Sequence, residues 1–269
     1  MSATLVARVV PPAFFPGGRA MRLVERNFMV FRRGWLVFVS GFFEPLFYLL
    51  SVGVGISKLA GDLTLADGTV LSYTAFIAPA MMASSAMNGA VYDATFNIFF
   101  KLKYAKLYDA VLATPLTTRD VAAGEIVWAL LRGFFYAVSF LVVMIVLGLV
   151  GSWWAVLMVP GALLIGFAFA AICMAATTYM RSWQDFEFVS LTIMPMFLFS
   201  ATFYPIETYP EALRLVVQAT PLYHGVAMLR DLSLGTVGPG IVLHVVYLLA
   251  LGALGLAISS RRLEKLLLR

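Results

Sequence analysis

Long apolar runs cut by short polar breaks dominate this sequence, and they leave it one kind of solvent. An α-helix rising ~1.5 Å per residue needs roughly 20 mostly apolar residues to cross a ~30 Å hydrocarbon core. Six runs meet or approach that length, at about 35–57, 72–100, 121–149, 155–180, 187–204 and 240–260. Hydrophobic residues make up 62% of the 269 and charged residues 12%, whereas a soluble domain is nearer half apolar and a quarter charged. Too little polar surface remains to coat a globule. The expected fold is an all-α integral membrane protein with six transmembrane helices. The second and third runs exceed what a bilayer needs, so they tilt or project into the cytosol. The fifth is short and carries Pro195.

Orientation follows from the lysines and arginines between the runs. Fifteen of the 19 fall on one side: Arg8, Arg19, Arg22, Arg26, Arg32, Arg33, Lys101, Lys103, Lys106, Arg119, Arg181, Arg261, Arg262, Lys265 and Arg269. The other side holds Lys58, Arg214 and Arg230, and Arg132 lies inside a run. Both termini are therefore expected in the cytoplasm. Residues 1–18 read as a cytoplasmic tail, 35–260 as a single membrane domain and 261–269 as a basic cytoplasmic tail. Residues 19–34 alternate arginine with large apolar side chains, as an amphipathic helix lying in the interface does, or as a plain basic tail that fixes orientation. The net charge of +5 is spread between apolar runs rather than gathered in a patch, so nucleic acid is not an expected partner. A lone cysteine, Cys173, excludes a disulfide framework. No uninterrupted apolar stretch precedes residue 30, because Arg8, Pro11, Pro12, Pro16, Gly17 and Gly18 divide it; a cleaved signal peptide is not expected.

One polar stretch breaks the pattern: KLKYAKLYDAVLATPLTTRD, residues 101–120. On a helix, Tyr104, Leu107, Tyr108, Val111 and Leu112 form one apolar stripe, Lys103, Lys106 and Asp109 take the other side, and Thr114-Pro115 ends it. An amphipathic helix in a cytoplasmic loop needs something to cover it. On the outer side, residues 204–235 carry two short helix signatures beginning near Pro210 and Pro221, with Thr220 as an N-cap for the second. Leu213, Val216, Val217, Val226 and Leu229 are too apolar for a free loop. They describe helices re-entering the outer leaflet, or a packed cap that avoids lipid.

The search for chemistry returns mainly exclusions. No G-x-x-x-x-G-K-[ST] exists to hold ATP, no G-x-S-x-G or H-E-x-x-H is present, and His224 and His244 lack neighbours at metal-ligand spacing. Catalytic, cofactor and metal residues are all expected to be absent. Four ionisable residues sit inside runs, where each needs a partner or water: Glu44, Asp93, Glu125 and Arg132. All fall in the inner half of the bilayer, as a cavity lining or gate, or as ion pairs holding the bundle. Pairing of Glu44 or Asp93 with Arg132 is the specific expectation. Phe76, Met82, Met194, Phe197 and Phe203, with Asn88 on a small polar side of the second run, form a candidate substrate path for an amphipathic cargo. Such residues serve ordinary helix packing equally well.

Several segments together resemble one family. They are the basic 19–33 segment, Glu44-Pro45, YDAVLATPLTTRDVAAGEIVWALLRG (108–133), FSATFYPIETYP (199–210) and PLYHGVAMLRDLSLG (221–235). Over nearly the whole chain the sequence is similar to ABC-2 permease subunits of ATP-binding-cassette exporters, in particular the daunorubicin-resistance and nodulation-factor export permeases. The resemblance implies a multi-pass permease of the cytoplasmic membrane, dimeric with a second copy or a paralogue, among lipids. It implies two separate ATP-binding subunits, which hold the ATP and magnesium this chain does not. Residues 104–115, with Tyr104, Leu107, Tyr108, Val111, Leu112 and Pro115, occupy the place of the coupling helix that docks on the ATPase. Residues 205–234 match the re-entrant helices. The substrate path is implied at the permease–permease interface, and the cargo as a drug, lipid or glycolipid. The alternative is a proton-coupled secondary transporter using Glu44 and Asp93; it lacks the inverted repeat common in that class. A membrane enzyme lacks a convergent nucleophile or metal cluster.

Overall fold

The computed structural model describes residues 18–31, 43, 47, 49–56, 61–64 and 68–267. Residues 1–17, Glu44-Pro45 and most of the first expected span lie outside them; from that span a π-helical segment, Leu49–Val54, is described.

Helix α1, Gly18–Phe31, lies where the interfacial helix is expected. Its two apolar sides do different things. Leu23 and Val24 are buried in the protein, while Met21, Phe28, Met29 and Val30 are exposed. After it comes an element the all-α expectation omits. Strands β1, Asp62–Thr64, and β2, Val70–Ser72, pair antiparallel with Leu63 opposite Leu71. Ser72 then starts α2, Tyr73–Tyr92, its hydroxyl accepting from the amide of Ala75 at 3.3 Å. This helix continues through π-helical segments Asp93–Asn97 and Phe100–Tyr104. Lys106 in the left-handed region (φ 45°) ends it.

The six-residue α3, Leu107–Leu112, follows, then α4, Thr118–Val146, whose Thr117 and Asp120 form a reciprocal capping box. A 3-10 turn, Trp153–Leu157, leads into α5, Met158–Thr177; α6 is Phe186–Leu198, α7 Glu211–Ala219, α8 Pro221–Leu234 and α9 Gly240–Leu267. Among the described residues, three helices are long and apolar enough to cross a bilayer: Thr118–Val146, Trp153–Thr177 and Gly240–Leu267. The core packs between α2, α4, α5, α8 and α9. Helices α5 and α9 approach backbone to backbone at Gly255, where a Cβ would stand 2.6 Å from the Ala171 carbonyl carbon; only glycine allows that approach.

Three boundaries differ from expectation. The fifth span is a 13-residue helix, about 20 Å long, too short alone for a ~30 Å core. Pro195 lies inside its last turn, and the chain leaves through Ala201 in the left-handed region (φ 54°). The basic segment 261–269 is not a separate tail: α9 runs on to Leu267, with the Arg262 guanidinium 4.0 Å from the Tyr179 ring centroid. Thr220 holds the N-cap position of α8 without capping it, because its hydroxyl donates backwards to the Val217 carbonyl at 2.7 Å. Leu222, Val226 and Leu229 of α8 are fully buried in the protein, whereas Leu215 and Val216 of α7 stay exposed.

Candidate functional site

The segment after α2 is built around one carboxylate. Gly124 on α4 has no side chain, and a Cβ there would stand 2.9 Å from the Ala20 carbonyl and from Leu23 Cβ. The missing atom lets α1 lie against α4. The next residue, Glu125, is thereby brought under α1, where Asn27 Nδ2 donates to its Oε2 at 3.2 Å. Lys101 Nζ, from the last turn of the α2 extension, lies 2.7 Å from the same oxygen. Both side chains are largely withdrawn from solvent, so the pair is poorly screened.

Below this node sits Tyr108 of α3, fully buried. Its hydroxyl and Glu125 Oε1 are both buried without a hydrogen bond of ordinary geometry, and the two groups neighbour each other. Burial, and then the Glu125 carboxylate, pushes the Tyr108 phenol well above its usual range. It stays neutral. Val111 is buried too, and Leu107, Leu112 and Leu116 pack against the same core. The stripe that the sequence assigns to an outside partner therefore turns inward in this chain, Tyr108 lying against Glu125 of α4 and near Arg26 of α1. Tyr104 leaves the stripe altogether: the left-handed turn at Lys106 separates it from α3. It is exposed and stacks on Phe100 and on Trp183, with centroids 5.9 and 5.7 Å apart. Lys103, Lys106, Asp109, Ala110, Ala113, Thr114 and Pro115 form the outer surface. The Pro115 carbonyl accepts from Arg19 at 3.3 Å, a second tie to α1.

Deeper in the bundle, Arg132 Nη1 lies 2.6 Å from Asp93 Oδ1, and Phe31 places its ring centroid 4.7 Å from the guanidinium carbon. Asp93 opens a π-helical segment, the kind of local irregularity that often marks a functional position. Among the described residues, the charges expected inside the membrane fall into two separate ion pairs, Asp93–Arg132 and Lys101–Glu125. Glu125 pairs with Lys101 rather than Arg132, and Glu44 lies outside the described residues. A pocket between α2, α4 and α5 is lined by Met82, Ser85, Gly89, Asp93, Gly133 and Tyr136.

The remaining path candidates are scattered. Phe76 is buried with the Arg230 guanidinium 3.8 Å over its ring, Asn88 and Met194 are exposed, and Phe197 meets Phe203 edge-to-face at 5.3 Å. Arg230 also donates to the Ala201 carbonyl at 2.9 Å, and so ties α8 to the end of α6. Sequence reasoning missed Asn27, Lys101 and Trp183. Lys101 was legible only as a topology charge, and its partner lies 24 positions away.

The sequence matches the ABC-2 type transporter family over residues 20–234. The chain belongs to the ABC-2 type transporter family. It is similar to Nodulation protein J of Rhizobium leguminosarum bv. viciae, 29% identical over 91% of this chain and 93% of the relative. Nodulation protein J of R. leguminosarum bv. trifolii is 30% identical over 92% and 96%, and that of Rhizobium meliloti (strain 1021) 30% over 82% and 83%. As an ABC-2 permease the chain is a multi-pass membrane protein, and family membership implies a transport subunit whose ATP-binding subunits are separate chains.

Proposed function

We propose that this chain is the transmembrane subunit of an ATP-driven exporter, assembled as two permeases with two ATP-binding subunits. The observation that carries the reading is the Glu125 node. One carboxylate gathers α1, the α2 extension and α4, and Tyr108 of α3 lies against it. A displacement of the exposed side of α3 is thereby passed to two membrane helices at once. The docking surface is the outer side of residues 103–115, with Tyr104, Asp109 and Pro115; Tyr108 and Val111 anchor it from within. Closing of the ATPase dimer would shift this segment, tilt α2 and α4, and open the interface between permeases. The cargo class is amphipathic, of a drug, lipid or glycolipid type, in keeping with the exposed aromatic and methionine side chains of α6. Outward direction rests on the resemblance to export permeases. The Asp93–Arg132 pair weighs against Asp93 as a proton carrier, since its charge is already committed.

Co-expression with an ABC ATP-binding subunit tests the reading. The expected result is a stable complex that hydrolyses ATP, while the permease alone does not. Permease-mediated transport driven by a proton gradient, with no ATP-binding subunit bound, would overturn it.

A further inference from the structure

Among the described helices, α6 is little embedded, with Phe186 its one buried residue. Val189, Ile193 and Met196 pack on the core, while Phe188, Leu191, Met194 and Leu198 are exposed. Its start is different. Phe99, Met180 and Phe186 form a small buried cluster separate from the main core, and aromatic rings gather around it from both sides. From the α2 extension come Phe96, Phe99 and Tyr104; from the connection before α6 comes Trp183, and from the first residue of α6 comes Phe186. Phe96 stacks on Phe186 with centroids 4.2 Å apart and planes 9° from parallel. Trp183 meets Tyr104 at 5.7 Å and 27°, Phe99 at 5.4 Å and 64°, and Phe96 at 6.2 Å.

The connection that carries Trp183 is itself fixed. Asp185 Oδ2 accepts from the amides of Arg181 at 2.6 Å and Ser182 at 3.1 Å. These amides hold the exposed Asp185 carboxyl below its ordinary range. Trp183 therefore sits on a braced turn, in contact with three rings of the segment that ends at the Lys101–Glu125 node. Offset and edge-to-face ring contacts have preferred geometries, so moving one partner drags the other.

We propose that Trp183 is a positioning residue that passes displacement of the 93–104 segment to α6. The inference rests on the proposed role of residues 103–115 as the ATPase docking segment, and extends it from α2 and α4 to α6. Motion at the docking surface then reaches α6 at the membrane boundary through ring contacts, rather than through the bundle core.

The test uses the full complex with its ATP-binding subunit in lipid nanodiscs, on a Cys173→Ser background carrying Ser190→Cys on the exposed side of α6. Reaction of that thiol with a maleimide, with and without ATP, reports α6. The parent complex should show an ATP-dependent change in labelling rate. Trp183→Ala should abolish the change while the complex still assembles and hydrolyses ATP, and Trp183→Phe should restore it. If Trp183→Ala does not assemble, Phe96→Leu, which removes the stacked pair with Phe186, must show the same loss. An ATP-dependent change retained in either disrupted variant overturns the inference. A parent complex that hydrolyses ATP without any change at Ser190→Cys overturns it as well. Failure of the parent to bind an ATP-binding subunit at all refutes the docking reading instead, and this inference with it.

Discussion

Lys101 Nζ lies 2.7 Å from Glu125 Oε2, the first on the π-helical extension of α2 and the second on α4. The same oxygen accepts from Asn27 of α1 at 3.2 Å, and the Tyr108 hydroxyl of α3 lies beside the other. Four segments thus meet at one carboxylate. The Gly-Glu pair at 124–125 acquires two linked physical meanings: Gly124 makes room for α1, and Glu125 receives it.

Removing one partner of a buried ion pair strands the other charge, at a cost of about 3–5 kcal/mol. Glu125→Ala should destabilise the permease by that order, measured as thermal unfolding in detergent. Glu125→Gln should cost less, since its amide oxygen still accepts from Asn27 and Lys101. A Glu125→Ala protein as stable as its parent would show that the node is not a structural tie.

The Asp93–Arg132 pair is open to a swap. Arg132→Asp alone puts two carboxylates together in a poorly solvated site and should lower the yield of folded protein severalfold. Asp93→Arg with Arg132→Asp should recover part of it, read as the monodisperse fraction in size-exclusion chromatography. A double variant no better than the single would mean the two side chains do not support each other.

Much of the fold was legible because a bilayer forces long apolar runs, and α4, α5 and α9 follow them closely. What failed has identifiable causes. The ribbon of β1 and β2 was not legible, because its two strands are only three residues each. The short α6 looked longer because 199–204 is apolar yet folds as a turn. At the candidate site, periodicity located the apolar stripe of Tyr108 and Val111 but not its cover; a stripe states that something packs there, not which chain supplies it. Lys101 could be counted as a cytoplasmic charge, but its distant partner required the helices to be placed.

Gly124 is a position where size decides the outcome. A Cβ 2.9 Å from a backbone oxygen must move the helix that carries it. Gly124→Val should displace α1 and destabilise the protein by about 1–3 kcal/mol, the usual range for overpacking. Protease cleavage after Arg22 or Arg26 should rise sharply in the variant. Unchanged protection would contradict the close α1–α4 approach.

Acid should loosen the contact between α8 and α9. His224 Nδ1 stands 2.7 Å from His244 Nδ1, Tyr247 stacks on the His224 ring, Tyr223 lies edge-on to it, and Asp231 is the nearby carboxylate on α8. Burial, and then the facing His244, lowers the His224 imidazole from 6.5 to about 4. A histidine with a depressed folded pKa binds fewer protons folded than unfolded in that window, so stability rises with pH there. It should fall as pH drops from 6.5 towards 4. Thermal unfolding across this range should show the slope, and His224→Gln should flatten it; an equal slope in the variant would assign the effect elsewhere.

In the proposed assembly the outer side of residues 103–115 meets a separate ATP-binding subunit. A photo-crosslinking residue placed at exposed Ala110 tests it directly, with Trp153, 93% exposed at the opposite end of α4, as the control position. In a complex that hydrolyses ATP, Ala110 should capture the ATP-binding subunit and Trp153 should not. A working complex in which Ala110 never captures that subunit would contradict the account.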